Sequence, residues 1–124
     1  MRIILLNTND IGGGAAIAAY RFLKGLQQSG IEAEMLVQSK KSDDYSVIGP
    51  QTKWQKIFGK LRPALDSIPI RFYKQSKKII FSPAILPDNI FKKIQNINPD
   101  IVHLHWIAGG FLKIESFHLI VKNI

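Results

Sequence analysis

Three sets of residues in this sequence have the types and spacing to do chemistry. Gly12, Gly13 and Gly14 stand between a short apolar run, residues 2–6, and a segment of helical periodicity. At such a junction the missing Cβ atoms let the backbone approach a ligand, and the first N–H groups of a helix are free to meet a phosphate or sugar oxygen. The dinucleotide fingerprint is not met: counted from Gly12, its third glycine position holds Ile17, and Gln38, Ser39 and Lys40 stand where an acid would close the second strand. A Walker A loop would end in Gly-Lys-Ser/Thr, and here Ala15 and Ala16 follow Gly14. NAD binding and NTP hydrolysis are therefore not expected. The loop reads either as a site for a polar or anionic ligand or as a tight turn alone.

His103 and His105 are two residues apart, so on one strand both project to the same face, roughly 6.5–7 Å from each other. Such a pair could ligate a metal or place one imidazole at the strand end as a base. With no cysteine in the chain and His118 the one further histidine, a third zinc ligand is hard to find, and no metal is expected. The preferred reading puts His103 in the core and turns His105, nearer the strand end, toward a substrate. A structural role for both stays open.

The third set is a basic insertion at residues 51–78. It holds Lys53, Lys56, Lys60, Arg62, Arg71, Lys74, Lys77 and Lys78 against Asp66 alone, and so carries nearly all of the net +8. Trp54, Ile57, Phe58, Leu61, Leu65, Ile68, Phe72 and Tyr73 are interleaved with these charges. The mixture suits an anionic bilayer or a phosphorylated lipid. Nucleic acid competes as a partner, but no recognised RNA- or DNA-binding motif accompanies the patch. A solvated helical face with its apolar side on the core is the plain alternative.

The elements that must position these residues follow from periodicity. Residues 2–6 are apolar without alternation, as a strand covered on both faces of a parallel sheet reads. Ala15, Ala16, Ala19, Phe22, Leu23 and Leu26 recur at helical spacing, Gly30 follows as the helix stop, and residues 31–38 form a second strand, so residues 2–38 are a βαβ unit. Residues 40–50 read as a loop, and residues 51–78 as irregular helix broken by Pro63 and Pro69. Asp88 is the expected N-cap of a short helix whose apolar face is Ile90, Phe91, Ile94 and Ile97. Residues 101–106 read as a strand, Gly109-Gly110 as a break, and a helix is expected from Phe111. Alternating β and α segments imply an α/β fold with a parallel sheet and a ligand crevice at the carboxyl ends of the strands. Three features fall there: the glycine loop, residues 38–41, and residues 105–110.

At 124 residues the chain is one domain of ordinary size, and 46% hydrophobic with 21% charged residues is a globular composition. With zero cysteines there is no disulfide framework, no run approaches 18 apolar residues, and Asn7, Asn9 and Asp10 interrupt the apolar start too early for a signal-peptide core. A cytoplasmic protein is expected.

Several of these segments together carry a likeness. Arg2-Ile3-Ile4-Leu5-Leu6-Asn7-Thr8 with Gly12-Gly13-Gly14-Ala15-Ala16, Phe81-Ser82-Pro83, and Asn98-Pro99-Asp100-Ile101-Val102-His103-Leu104-His105-Trp106 before Gly109-Gly110-Phe111 resemble the N-terminal half of family 4 glycosyltransferases. The resemblance covers residues 1–116 and implies one Rossmann-like half of a GT-B architecture, with the insertion at 51–78 and a divergent tail at 117–124. It further implies retaining transfer of a sugar from a nucleotide diphosphate donor, usually without a bound metal. By position, Gly12, Gly13 and Gly14 would line the cleft near the donor phosphates and acceptor, and His105 would lie at the cleft edge. A basic, aromatic surface on this half of the family often goes with a membrane-associated acceptor, a glycan or a lipid-linked one.

The family's next strand, with its His-Asp motif, and its donor-binding domain have no counterpart in these residues. The expectation is a truncated or separately encoded acceptor-side domain, inactive alone, without a cofactor of its own. It would meet a nucleotide-sugar donor only together with a C-terminal half encoded elsewhere, and would sit in the cytoplasm, peripheral at the inner face of the membrane. The alternative is a non-enzymatic module that contacts anionic membrane or nucleic acid through the insertion. A small nucleotide-binding enzyme complete in itself fits least, since neither fingerprint acid nor nucleophile constellation is present.

Overall fold

A computed structural model describes residues 1–71 and 88–123. Four strands, β1 (Arg2–Asn9), β2 (Glu32–Ser39), β3 (Val47–Ile48) and β4 (Ile101–Leu104), form one sheet in the order β3-β2-β1-β4, and every pair is parallel. Helices flank the sheet: α1 (Gly14–Gln28), α2 (Lys53–Asp66), α3 (Ile68–Arg71), α4 (Ile90–Ile97) and α5 (Ile114–Asn123). The fold is the expected α/β, Rossmann-like parallel sheet.

The unbroken apolar run of β1 has the cause inferred from it. Ile3 and Leu5 pack on the α1 side with Ala19, Leu23, Ala33, Met35, Val37 and Val47. Ile4 and Leu6 pack on the opposite side with Leu36, Ile90, Ile94, Phe111, Leu112 and Ile120, from α4, α5 and the turn before α5. Side chains alternate along a strand, so only a strand buried on both faces is apolar at every position. Residues 117–123, set apart in the sequence as part of a tail, continue α5, and Ile120 is buried.

Two expectations are corrected. Residues 40–50 are not all loop: β3 pairs Val47 with Met35 and Ile48 with Leu36, a strand of two residues, too short to register as a period. Nor does Pro63 break the helix that holds it; the interruption falls at Ser67, two residues before Pro69. Pro63 lies inside α2, which Thr52 caps by accepting the Gln55 N–H at 3.2 Å. A proline in a helix leaves the carbonyl four residues back without its donor. Here that carbonyl belongs to Gly59, and the Gln38 side-chain amide donates to it at 2.8 Å. Pro69 stands in the first turn of α3, where no intrahelical N–H partner is needed.

The first β-strand neighbours β2 on one side and β4 on the other, so the strand order reverses beside it. At such a switch point the loops leaving the two strands splay apart and open a crevice at their carboxyl ends. Among the described residues no helix is long and apolar enough to cross a membrane.

Candidate functional site

One wall of the crevice is the loop from β1 into α1. Asp10, fully buried, holds it: its carboxylate accepts the N–H groups of Ile11 at 2.9 Å, Lys41 at 2.9 Å and Ser42 at 2.7 Å. Burial alone would raise this carboxyl, but the hydrogen bonds from Ser42, Lys41 and Ile11 outweigh it, and the pKa lies below the ordinary 3.8. The acid thereby ties the loop after β1 to the loop after β2. Gly12 at φ 111° and Gly13 at φ 91° then turn the chain through a region closed to other residues at little cost. The start of α1 has no side-chain cap and no acid in its first turn, and Gly12, Gly13 and Gly14 are all exposed. A Cβ on Gly12 would lie 3.5 Å from Lys41 Nζ, so the ammonium stands directly beside the loop. Uncapped N–H groups at a helix start beside a lysine are an electrostatic fit to an anionic oxygen.

Beside the end of β1 runs the segment leaving β4. His105 N–H donates to Leu6 O at 3.0 Å, Trp106 N–H to Asn7 Oδ1 at 2.9 Å, and Thr8 N–H to Trp106 O at 2.7 Å. The Thr8 hydroxyl lies 2.8 Å from both the Trp106 and Ala108 carbonyls. These bonds carry the β1–β4 pairing past the end of the sheet and hold Trp106, about half exposed at 48%, in place. Ile11, in the loop after β1, is exposed as well.

His103 and His105 share one sheet face as expected, but they are closer than strand rise alone puts them: His103 Nδ1 lies 3.0 Å from His105 Nε2. Both rings pack on Phe22 of α1, with centroids 5.1 and 5.9 Å away. Burial, and then the neighbouring His103, hold the His105 imidazole below its ordinary 6.5, which favours the neutral ring. The placement of His103 in the core is corrected: it is exposed, and His105 is the more buried of the two, because β4 lies at the end of the described sheet and only the side of α1 covers its rings. No group of three or more His, Asp or Glu side chains converges among the described residues.

The basic insertion divides by role. Lys53, Lys56 and Lys60 are exposed on α2. Arg62 points inward, its Nε donating to Gly110 O at 2.6 Å. Burial lowers its pKa against the raising charges of Asp88 and Asp66. Arg71 is the last residue of α3, while Lys74, Lys77 and Lys78, like Phe72, Tyr73 and the Phe81-Ser82-Pro83 segment, lie outside the described residues. Trp54, Ile57, Phe58, Leu61 and Leu65 recur at helical spacing yet are 43–73% exposed. The helix meets the sheet instead through Gly59, where a Cβ would stand 2.9 Å from Gln38 O, and Asp66 at its last position is buried.

Two acids anchor the loops and helix starts in ways that the local sequence does not announce. Asp10 was noted only as an interruption of the apolar start. The expected N-cap at Asp88 is corrected: Asn89 holds that position, and Asp88, one residue earlier, accepts Ile90 N–H at 3.1 Å, Lys113 N–H at 2.6 Å and the Ser116 hydroxyl at 2.9 Å, joining the starts of α4 and α5. An acid two residues before a glycine-rich turn was the available signal for the first; nothing local signals the second partner of Asp88, 25 residues away.

No protein-family model, no curated protein and no solved structure matches the chain.

Proposed function

We propose that this chain is the acceptor-side domain of a family 4, GT-B sugar transferase. What carries the reading is the switch-point crevice: an exposed glycine loop at an uncapped helix start, Lys41 beside it, and the pinned His105-Trp106 segment on the adjacent strand. In sugar transfer the bond from the anomeric carbon to a nucleotide diphosphate breaks and a bond to an acceptor oxygen forms. Negative charge grows on the leaving diphosphate, and N–H groups with a lysine are the groups that stabilise it. Donor and acceptor must also be held together. The donor wall in this reading belongs to a second Rossmann-like domain, and Trp106 and Ile11 give the acceptor an apolar surface.

The test is to co-express the chain with the donor-side domain found by reading its genomic neighbourhood, and to follow label from a nucleotide sugar into membrane and glycan acceptors. Transfer by the pair, lost in Gly13→Val, is expected. A pair that transfers nothing, or a chain that turns over nucleotide sugar alone, overturns the reading.

A second observation favours peripheral attachment to an anionic membrane, either for this enzyme or for a non-enzymatic module. The exposed stripe of α2 is flanked by Lys53, Lys56 and Lys60, the pattern of a helix lying in the bilayer interface. Co-sedimentation with phosphatidylglycerol vesicles, lost at high salt and in Trp54→Ala/Phe58→Ala, is the expected result. Binding of this kind with no transfer by any pair favours the module.

A further inference from the structure

A second feature of the carboxyl edge lies beside the glycine loop, where β2 and β3 end. There a basin of about 610 Å³ is lined by Lys40, Lys41 and Lys56, with Ser42, Tyr45 and Gly49 among the rest of its wall. We propose that this basin holds a phosphate ester carried by the acceptor, an inference that rests on the sugar-transfer reading only for calling the ligand an acceptor.

The three lysines come from different parts of the fold. Lys40 and Lys41 follow β2, and Lys56 reaches the basin from α2. None of them forms an ion pair with a carboxylate among the described residues. The acids close by are committed elsewhere. Asp10 accepts three backbone N–H groups. Asp44 is paired with Lys24 and accepts from Tyr20 Oη and from the N–H and hydroxyl of Ser46; these bonds outweigh burial and hold its carboxyl well below the usual carboxylate range. Asp43, exposed, is the one acid lining the basin, so three positive charges face one negative. Like charges gathered without counter-charges repel one another, and a phosphate bridging them relieves that repulsion.

The basin is also shaped for this. The Lys40 side chain crosses the end of β3 at Gly49, where a Cβ would lie 2.4 Å from Lys40 Cβ, and its ammonium donates to Asp44 O at 2.7 Å, leaving two further donors. Lys41 is fixed through its backbone by Asp10 and stands between the basin and Gly12. A phosphate here would leave the rest of the ligand directed along the carboxyl edge toward the glycine loop.

The experiment is amide NMR of the full chain titrated with glycerol 3-phosphate, with glycerol as the uncharged control, and in a second arm binding to phosphatidylglycerol against phosphatidylcholine vesicles. Saturable shifts at Lys40, Lys41, Ser42 and Gly49, weakened about tenfold in Lys41→Gln/Lys56→Gln, are expected. Lys53→Gln/Lys60→Gln, on the same helix outside the basin, should leave the soluble affinity unchanged. Gly49→Ala, which displaces Lys40, should weaken binding with the spectrum otherwise folded. Vesicle binding that also needs Lys41 and Lys56 identifies a lipid headgroup as the source of the phosphate; a soluble arm alone identifies a free ester. Linear, unsaturable shifts spread over all lysines, or equal weakening by both double variants, overturn the proposal. Phosphate binding without sugar transfer by any domain pair would sink the transferase reading and leave the basin; transfer by the pair with no saturable phosphate shift in the native chain would do the reverse.

Discussion

The βαβ unit and α2 both carry apolar residues at regular spacing, and they use them in opposite ways. In β1, β2 and most of the α1 face the periodic residues are the core: Leu5, Leu23, Met35 and Leu36 are completely buried, while Ala15 and Phe22 of α1 are exposed. In α2 the periodic residues Trp54, Ile57, Phe58, Leu61 and Leu65 face outward, and the helix is attached through a glycine and hydrogen bonds from Gln38 and Arg62. Periodicity states that a face is apolar; it does not state what covers that face. In the first region the rest of the sheet covers it, and in the second nothing among the described residues does.

The largest test of this contrast is a pair of truncations. Leu5→Ala or Leu36→Ala removes a fully buried side chain between two packed layers and should cost about 2–5 kcal/mol in urea unfolding. Leu61→Ala, half exposed, should stay within about 0.5 kcal/mol. Equal costs would mean that the α2 stripe is covered in solution, and the distinction between the regions would fall.

Asp10 sharpens the contrast from the polar side. Asp10→Asn removes the charge that three N–H groups converge on and puts an amide donor among donors, so it should cost about 1.5–3 kcal/mol at pH 7. The folded pKa of Asp10 is depressed, so its contribution is complete above the unfolded value near 3.8 and is lost as pH falls through the folded value. Asp44 acts with the same sign. Acid titration of stability should therefore be steeper below pH 4 in the native chain than in Asp10→Asn. Identical slopes would remove Asp10 from its anchoring role.

At the attachment of α2 the expected effects are smaller and local. Gly59→Ala drives a methyl against Gln38 O, and Gln38→Ala strands the Gly59 carbonyl that Pro63 leaves without a donor; each should cost about 1–3 kcal/mol. The loss should appear first as faster hydrogen exchange in α2, with β1 and β2 protected until global unfolding. Loss of protection in all elements together would make α2 part of the same cooperative unit as the sheet.

What could be read from the sequence follows the same division. The β1 run, the α1 face and the Ile90, Phe91, Ile94, Ile97 face were legible because each is a local pattern whose cover is the ordinary one. The glycine loop was legible as a junction, but its partners were not: Lys41 approaches Gly12 only because Asp10 binds the backbone of residues 41 and 42, some 30 positions away. Pro63 was misread because its rescue comes from Gln38, a residue on another element. The exposure of His103 was misread because an edge position belongs to the sheet order and not to the strand.

The smallest expected effect concerns that edge. His105 is held below its ordinary pKa chiefly by burial and secondarily by His103, and Phe22 supplies much of the cover. In an imidazole NMR titration, Phe22→Ala should move the His105 midpoint up toward 6.5 by more than His103→Ala does. A depressed histidine contributes stability that is complete above its unfolded value and is lost as pH falls through the folded one, so both variants should flatten the slight loss of stability below pH 6.5. If His103→Ala gives the larger shift, the shared proton of the pair outweighs the cover from α1. The ring beside the crevice would then answer to its partner on β4 before it answers to the core.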